Sequence, residues 1–184
     1  MVRTVDQTTQ LRRRFIIMAT GASLLALALI RLAINIWNWH ATCARADALI
    51  QVLYENDGVP QPNAQPRPMP SDGFQITAET PYETRYYVAT LDDEGTLVTL
   101  DTEHIATRDA EEAAATARAI WQGDQTRGFV DYYRFGVFQQ DGETCVIVLN
   151  CFDEITAWST FRTSSLAVCG ICILIIFLLL IPLS

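Results

Sequence analysis

The sequence predicts an α+β domain, a small antiparallel sheet with a crossover helix, suspended between two transmembrane helices. Long apolar stretches near both ends of the 184-residue chain enclose a middle segment of ordinary globular composition. Within that segment, helical periodicity and strand-like alternation follow in the order helix, hairpin, helix, hairpin, helix. About 125 residues lie between the spans, enough for one small core.

The first predicted span covers residues 15–39. Residues 15–30 carry no charge, and the apolar character resumes after Arg31. A helix of this length covers the roughly 30 Å hydrocarbon core at about 1.5 Å per residue. Trp37 and Trp39 are typical of the aromatic belt at a membrane surface. Arg31 either extends to the headgroups or takes part in helix pairing.

The distribution of basic residues predicts the orientation of the spans. Residues 1–14 form a basic segment with Arg12, Arg13 and Arg14, which places the N-terminus in the cytoplasm. The second span, residues 164–184, returns the C-terminus to the cytoplasm, so we expect the middle segment outside the plasma membrane. A cleaved signal peptide is the alternative for the first span, because Ala44-Arg45-Ala46 resembles a cleavage site.

The composition narrows the classes of function. Residues 40–163 carry eight arginines against twenty carboxylates, a net charge of −12, which repels nucleic acid phosphates. The chain has no lysine, and its only histidines are His40 and His104, which removes P-loop, Schiff-base and most acid/base chemistry. We therefore expect no nucleic acid partner, no cofactor, no metal and no catalytic residue. A carboxylate-only hydrolase is the enzyme that this composition leaves open.

Between the first span and the domain, the sequence predicts a helical stalk and a linker. The stalk, residues 40–56, has apolar residues at helical spacing. These residues are Ala44, Ala48, Leu49, Val52 and Leu53. Residues 57–80 contain five prolines, which predicts an extended linker.

The domain, residues 81–163, begins with a predicted hairpin and a helix. Two strand-like runs, residues 85–91 and 96–100, flank the turn Asp92-Asp93-Glu94-Gly95. Asp109 is placed to cap a helix, with Glu112 reaching back as in a capping box. That helix has one apolar stripe and a stop signal at Gly123. The stripe consists of Ala113, Ala117, Ile120 and Trp121.

A second predicted hairpin leads into the second span. Its strands, residues 132–138 and 144–152, are joined by the turn Asp141-Gly142. The later strand is apolar on both faces, which predicts a central position in the sheet. Residues 153–165 are expected to form a helix that continues into the span.

Four residues of this sheet are candidates for a ligand cleft. Tyr87, Tyr132 and Phe138 supply aromatic surface, and Arg134 supplies a group that can pair with an anion. Alternation places Tyr132, Arg134 and Phe138 on one face and their neighbours on the other. Ordinary packing within the sheet is the competing interpretation.

The cysteines give no clear redox or metal pattern. Cys145 and Cys151 are about 20 Å apart along one strand, too far to bridge. Either can pair with Cys43 only if the stalk packs on that strand. Cys169 and Cys172 have CxxC spacing but lie in the second span, where small packing residues are the simpler interpretation.

Taken with the two spans, these motifs resemble the extracytoplasmic input region of bacterial sensor histidine kinases. The motifs are Arg85-Tyr86-Tyr87-Val88, Leu91-Asp92-Asp93-Glu94-Gly95, Asp101-Thr102-Glu103-His104-Ile105-Ala106, Ala110-Glu111-Glu112-Ala113, Gly123-Asp124-Gln125-Thr126-Arg127-Gly128-Phe129-Val130 and Asp131-Tyr132-Tyr133-Arg134-Phe135. The resemblance implies a PAS-like sensor domain in a homodimeric two-component receptor. Its implied partners are a small ligand or peptide, the lipid bilayer, and a kinase core or response regulator.

The sequence departs from that family after Ser184. The printed chain holds no coupling domain, no cytoplasmic phospho-accepting histidine and no ATP-binding lid. We therefore expect that this chain does not autophosphorylate and represents a truncated kinase, a sensor fragment or a kinase-less relative. The alternative from another class is a two-span membrane protein that binds another membrane protein without signalling.

Overall fold

The computed structural model describes residues 2–56, 80–140 and 142–180. The elements in chain order are α1 (Val2–Glu55), α2 (Thr80–Glu83), β1 (Tyr86–Leu91), β2 (Leu97–Asp101), α3 (Ala110–Trp121), β3 (Arg127–Val130), β4 (Tyr133–Gln140), β5 (Glu143–Asn150) and α4 (Phe152–Leu180). They form two compact units, Met1–Trp39 with Thr156–Ser184, and His40–Ile155. The predicted linker lies outside the described residues except for Thr80, which begins α2.

The first unit contains the two predicted spans. Helical segments Arg14–Glu55 and Phe152–Ile176 are long and apolar enough to cross a membrane, with mean hydropathies of 2.1 and 1.7 in their most apolar windows. Neither window is buried inside the structure, which distinguishes both from the core helix of a soluble protein. Within this unit α1 and α4 are antiparallel, because Arg31 contacts Ser165 and Trp39 contacts Trp158.

The second unit is built on an antiparallel five-stranded sheet. The strand order is β2-β1-β5-β4-β3. The prediction of an α+β fold is confirmed, but two hairpins account for only four of these strands. The missed strand, β3, has four residues and contains Gly128, so its local signal is weak. Gly128 is required there because a Cβ would lie 2.7 Å from Cζ of Phe135 on β4.

The turn between β1 and β2 forms as predicted. Asp92 Oδ1 accepts hydrogen bonds from the backbone N–H groups of Glu94 and Thr96, at 3.0 and 2.7 Å. Gly95 has a φ of +80°, and a Cβ there would overlap the Trp121 ring. Backbone conformation and packing against α3 therefore both require glycine at this position.

Helix α3 also follows its sequence signals. Asp109 Oδ1 accepts a hydrogen bond from the Glu112 N–H at 2.8 Å, which satisfies one unpaired donor of the first turn. The helix ends at Trp121, two residues before Gly123. It buries the face that contains Ala113, Ala117 and Ile120 against β1, β2 and β5.

The sheet is covered on both faces. One face packs against α3, and the other packs against the stalk, of which residues 40–55 belong to α1. β5 is central, as predicted, because Val146 and Val148 point toward α3 while Ile147 and Leu149 point toward the stalk. Among the five apolar stalk residues at helical spacing, only Leu53 is fully buried. Ala44 is exposed, and the buried positions are Ala46, Ile50 and Leu53.

The junction between β5 and α4 differs from the prediction by two residues. The strand ends at Asn150, whose Oδ1 accepts a hydrogen bond from the Phe152 N–H at 2.9 Å. The Ile155 N–H donates to the Cys151 carbonyl at 2.9 Å, so the helical pattern begins here. Phe152 was predicted to end the strand and instead begins α4. From there α4 continues without a break to Leu180.

Candidate functional site

Arg134 binds Asp47 of the stalk through a two-point ion pair. Its Nε and Nη2 atoms donate to Asp47 Oδ1 and Oδ2 at 2.8 and 2.9 Å. The two side chains are 14% and 23% exposed, so the pair is only partly screened by water. The Arg134 guanidinium also lies over the Phe129 ring, with Cζ 4.7 Å from the centroid. This pair joins β4 to the stalk.

The predicted anion-pairing role of Arg134 is therefore conditional. The hydrogen bond to Asp47 raises the pKa of Arg134, so the side chain stays cationic. Asp47 accepts from two of the five N–H donors of the guanidinium, and its carboxylate offsets the positive charge. A ligand anion would have to compete with Asp47 for that charge. Sequence reasoning missed Asp47, although a carboxylate beside the apolar stripe of a predicted helix is a usable signal.

Phe138 lies on the same face of the sheet as Arg134. Its ring stacks on Tyr54 of the stalk, with centroids 4.0 Å apart and planes 8° from parallel. Tyr54 Oη donates to Gln140 Oε1 at 3.2 Å. Phe138 is therefore a packing contact between β4 and the stalk in this structure.

Tyr87 lies on the opposite face, which packs against α3. It is 1% exposed, and its Oη makes no hydrogen bond to any described residue. Burial raises the pKa of Tyr87 to about 12, and nearby Thr116 and Arg108 only partly offset this effect. The sheet thus separates Tyr87 from Arg134 and Phe138, and the four candidate residues do not converge on one site.

Tyr132 lines a cleft of about 660 Å³ at the end of the sheet where α4 begins. Its ring meets Phe152 edge to face, with centroids 5.2 Å apart and planes at 76°. Both rings are 49% exposed, so they present apolar surface to the cleft. The remaining lining residues are Leu49, Thr80, Glu83, Thr84, Arg85, Thr107, Tyr133, Leu149, Asn150, Asp153 and Glu154.

The chemistry of the cleft favours a ligand with an apolar body and a positive group. The lining of the cleft contains three carboxylate residues, Glu83, Asp153 and Glu154, and one guanidinium residue, Arg85. Hydroxyl groups on the lining threonines and Tyr133 supply hydrogen-bond donors and acceptors. Aromatic and carboxylate groups together are suited to organic cations. Sequence reasoning missed this site because its walls come from separate segments of the chain.

The stalk does pack on the strand face that carries Cys145 and Cys151, which was the stated condition for pairing with Cys43. No disulfide forms among the five cysteines, all of which lie within the described residues. Burial raises the pKa of Cys43, and it raises that of Cys151 to about 12. Both thiols therefore stay protonated at neutral pH and react slowly.

The predicted interfacial residues occupy α1 in the other unit. The Trp39 ring contacts Trp158 of α4 with centroids 4.9 Å apart, and Arg162 Cζ lies 4.8 Å over the Trp158 ring. Trp37 is 72% exposed. Arg12 and Arg13 lie in the first turns of α1, and Arg14 begins the candidate span. Their orienting role stays a prediction.

Comparisons of the chain with family models, curated proteins and solved structures gave no match. Among the described residues, no group of three or more histidine, cysteine, aspartate or glutamate side chains is arranged to hold a metal ion.

Proposed function

We propose that the chain is the membrane-anchored extracytoplasmic input module of a two-component sensor histidine kinase. In this proposal residues 81–163 form a PAS-like sensor domain, the protein is a homodimer, and both termini are cytoplasmic. The antiparallel sheet with its crossover helix is compatible with such a domain. The chain itself would perform no catalysis.

One observation carries the proposal: both membrane-competent helices also belong to the sheet domain. α1 is one helix from Val2 to Glu55, and its residues Ala46, Ile50 and Leu53 are buried in the core on the sheet. A single residue, Cys151, separates the end of β5 at Asn150 from the start of α4 at Phe152. A conformational change in the sheet domain can therefore be transmitted along each helix to its apolar segment, as in a rigid-body switch.

The cleft offers a place where such a change can begin. Leu49 belongs to the stalk, and Phe152, Asp153 and Glu154 form the first turn of α4. A small ligand or peptide held there would contact both helices at once. It would shift the equilibrium only if it binds one arrangement of these helices better than the other. The charges of the cleft favour a cationic ligand.

The first experiment measures the native product in its source cells with an antibody against residues 124–140. A species much larger than the 20.6 kDa of this chain supports the input-module proposal. In such a product, Tyr132→Ala should alter basal or ligand-dependent autophosphorylation, and the control Val98→Ala on exposed β2 should not. A product of 20.6 kDa would contradict a role as the input end of a kinase.

The orientation has its own test. In a variant without native cysteines, Asp124→Cys should react with a membrane-impermeant maleimide in intact cells. The matched position Gln10→Cys should react only after permeabilisation. The reverse pattern would refute the extracytoplasmic placement without affecting the assignment of the two spans.

The second candidate is a two-span protein that binds another membrane protein without signalling. The observation in its favour is that β2 is an edge strand, with Val98 50% exposed. An open edge can accept a strand from another chain. A native product of 20.6 kDa together with a crosslinked complex through β2 would favour this candidate.

A further inference from the structure

Arg31 is a cation within an apolar helix pair that contains no carboxylate. Residues 14–39 and 156–180 contain Arg14, Arg31 and Arg162 but neither aspartate nor glutamate. The Arg31 side chain is half-buried, and its Nε donates to Ser165 Oγ at 3.3 Å. A neutral hydroxyl does not compensate the charge, so the guanidinium can still pair with an anionic group.

The register of the helix pair defines where this charge lies. Arg31 is opposite Ser165, and the apolar run of α4 begins at the next residue, Leu166. On α1, the sixteen residues before Arg31 carry no charge. Arg31 therefore stands at the edge of the apolar zone shared by both helices, at the depth where a bilayer changes from hydrocarbon to headgroups.

Further donors lie at the same edge. Ser165 Oγ donates to the Arg162 carbonyl at 3.0 Å, so Arg162 is one helical turn from the Arg31 contact. The Arg162 side chain is exposed and lies against the Trp158 ring. Arg31 and Arg162 thus place two positive charges near this edge, together with the exposed Ser164. Guanidinium groups bind phosphate through paired N–H donors better than an ammonium does.

We propose that Arg31, Ser165 and Arg162 bind the phosphate of a membrane phospholipid, with preference for an anionic lipid. The Nη groups of Arg31 supply the main contact, Ser165 orients its guanidinium through Nε, and Arg162 adds the second positive charge. The charge of the site is complementary to a lipid with a net negative headgroup and less so to a zwitterionic one. This inference rests on the proposal that both helices cross a membrane and is independent of the sensing role.

The test counts lipids bound to the full chain by native mass spectrometry. The protein is released from phosphatidylcholine nanodiscs doped with phosphatidylglycerol, and both adducts are measured. Wild type should retain phosphatidylglycerol over phosphatidylcholine. Arg31→Gln should lose this retention by about tenfold, as expected when one charge-assisted phosphate contact is removed. Arg31→Lys should retain an intermediate amount, because lysine keeps the charge without the paired donors.

Arg118→Gln is the matched control, since Arg118 is exposed on α3 in the sheet domain. It should behave as wild type. Equal retention of both lipids by wild type, or undiminished phosphatidylglycerol binding by Arg31→Gln, would overturn the proposal. A protein complex lost on Arg31→Gln without loss of lipid would instead assign Arg31 to a partner's carboxylate. Displacement of the lipid adduct by inorganic phosphate would show a free-anion site and would also overturn it.

Resistance to alkaline carbonate extraction tests separately whether the two helices cross the membrane, on which the lipid site depends. Wild type and Arg31→Gln should both remain in the membrane. Extraction of wild type would show that the helices do not span the bilayer, and the lipid site would fail for that reason.

Discussion

β4 approaches the stalk closely at Gly136, and substituting alanine there tests how the strand and the stalk pack together. A Cβ at this position would lie 2.6 Å from Cγ2 of Ile50 and 3.1 Å from Cε2 of Phe138. Ile50 is 1% exposed, so it has no solvent-filled space into which it can move. Gly136→Ala must therefore displace the stalk from the sheet or force side chains out of their rotamers.

The expected loss of stability follows from two opposing effects. Overpacking of a filled core costs about 1–3 kcal/mol. Replacing glycine restricts the unfolded chain and offsets about 0.4–1 kcal/mol of this loss. The net loss is then about 1–2 kcal/mol. At about 4–8 °C per kcal/mol for a small domain, this loss lowers the unfolding temperature by about 4–16 °C.

A second substitution shows whether the Ile50 contact is the cause. Ile50→Leu removes the Cγ2 methyl group at the point of overlap and costs less than about 1.5 kcal/mol alone. In the double variant Gly136→Ala with Ile50→Leu, the loss of stability should be about 1 kcal/mol smaller than the sum of the two single losses.

Thermal unfolding of the full chain in nanodiscs, followed by near-ultraviolet circular dichroism, measures these shifts. The control is Gly21→Ala, where a Cβ meets nothing within 4 Å. An unchanged unfolding temperature for Gly136→Ala, or strictly additive losses in the double variant, would refute the proposed packing.

Three further predictions concern the same domain. Asp47→Asn leaves the Arg134 guanidinium without its carboxylate and should lower the unfolding free energy, measured by urea denaturation, by about 1–3 kcal/mol. The exposed control Glu94→Gln should lower it by less than about 0.5 kcal/mol. Similar losses for the two variants would contradict the role of the ion pair. Since the pKa of Tyr87 is raised from 10.0 to about 12 in the folded state, unfolded protein loses this proton first and stability should fall as pH rises between these values. Tyr87→Phe should make the fall of stability with pH less steep and leave stability at neutral pH unchanged or higher. An unaltered pH dependence would show that ionisation of Tyr87 does not cause the fall. Asp109→Ala removes the cap of α3 and should cost about 1 kcal/mol, which Asp109→Ser should largely restore; equal losses for both would exclude capping as the cause.

Features with local causes could be predicted from the sequence. The turn at Asp92 and Gly95 and the cap at Asp109 are set by side chains that bond to a backbone two to four residues away. The two long helices follow from uninterrupted apolar composition. The central place of β5 follows from apolar residues on both of its faces. In each case the residues that determine the structure are neighbours in the chain.

The candidate site depended on contacts between distant residues. Arg134 and Asp47 are 87 positions apart, and their pairing requires the stalk to lie on the sheet. The separation of Tyr87 from Phe138 is implied by strand alternation only after the starting residue of each strand is known, because a shift of one residue exchanges the faces. β3 could not be predicted from its own four residues, which include a glycine, because the strand is defined by its pairing with β4.

The two apolar helices, the acidic domain between them, α3 and the turn at Asp92 to Gly95 could be predicted from the sequence, because propensity, capping and hydrophobic periodicity act over a few residues. The predicted turn at Asp141 lies outside the described residues. Long-range packing places the stalk on one face of the sheet, opens the cleft beside Tyr132 and Phe152, and brings Arg31 to Ser165 from 134 positions away. These features arise from the burial of one element against another, and the free energy of that burial depends on shape and charge across the whole fold.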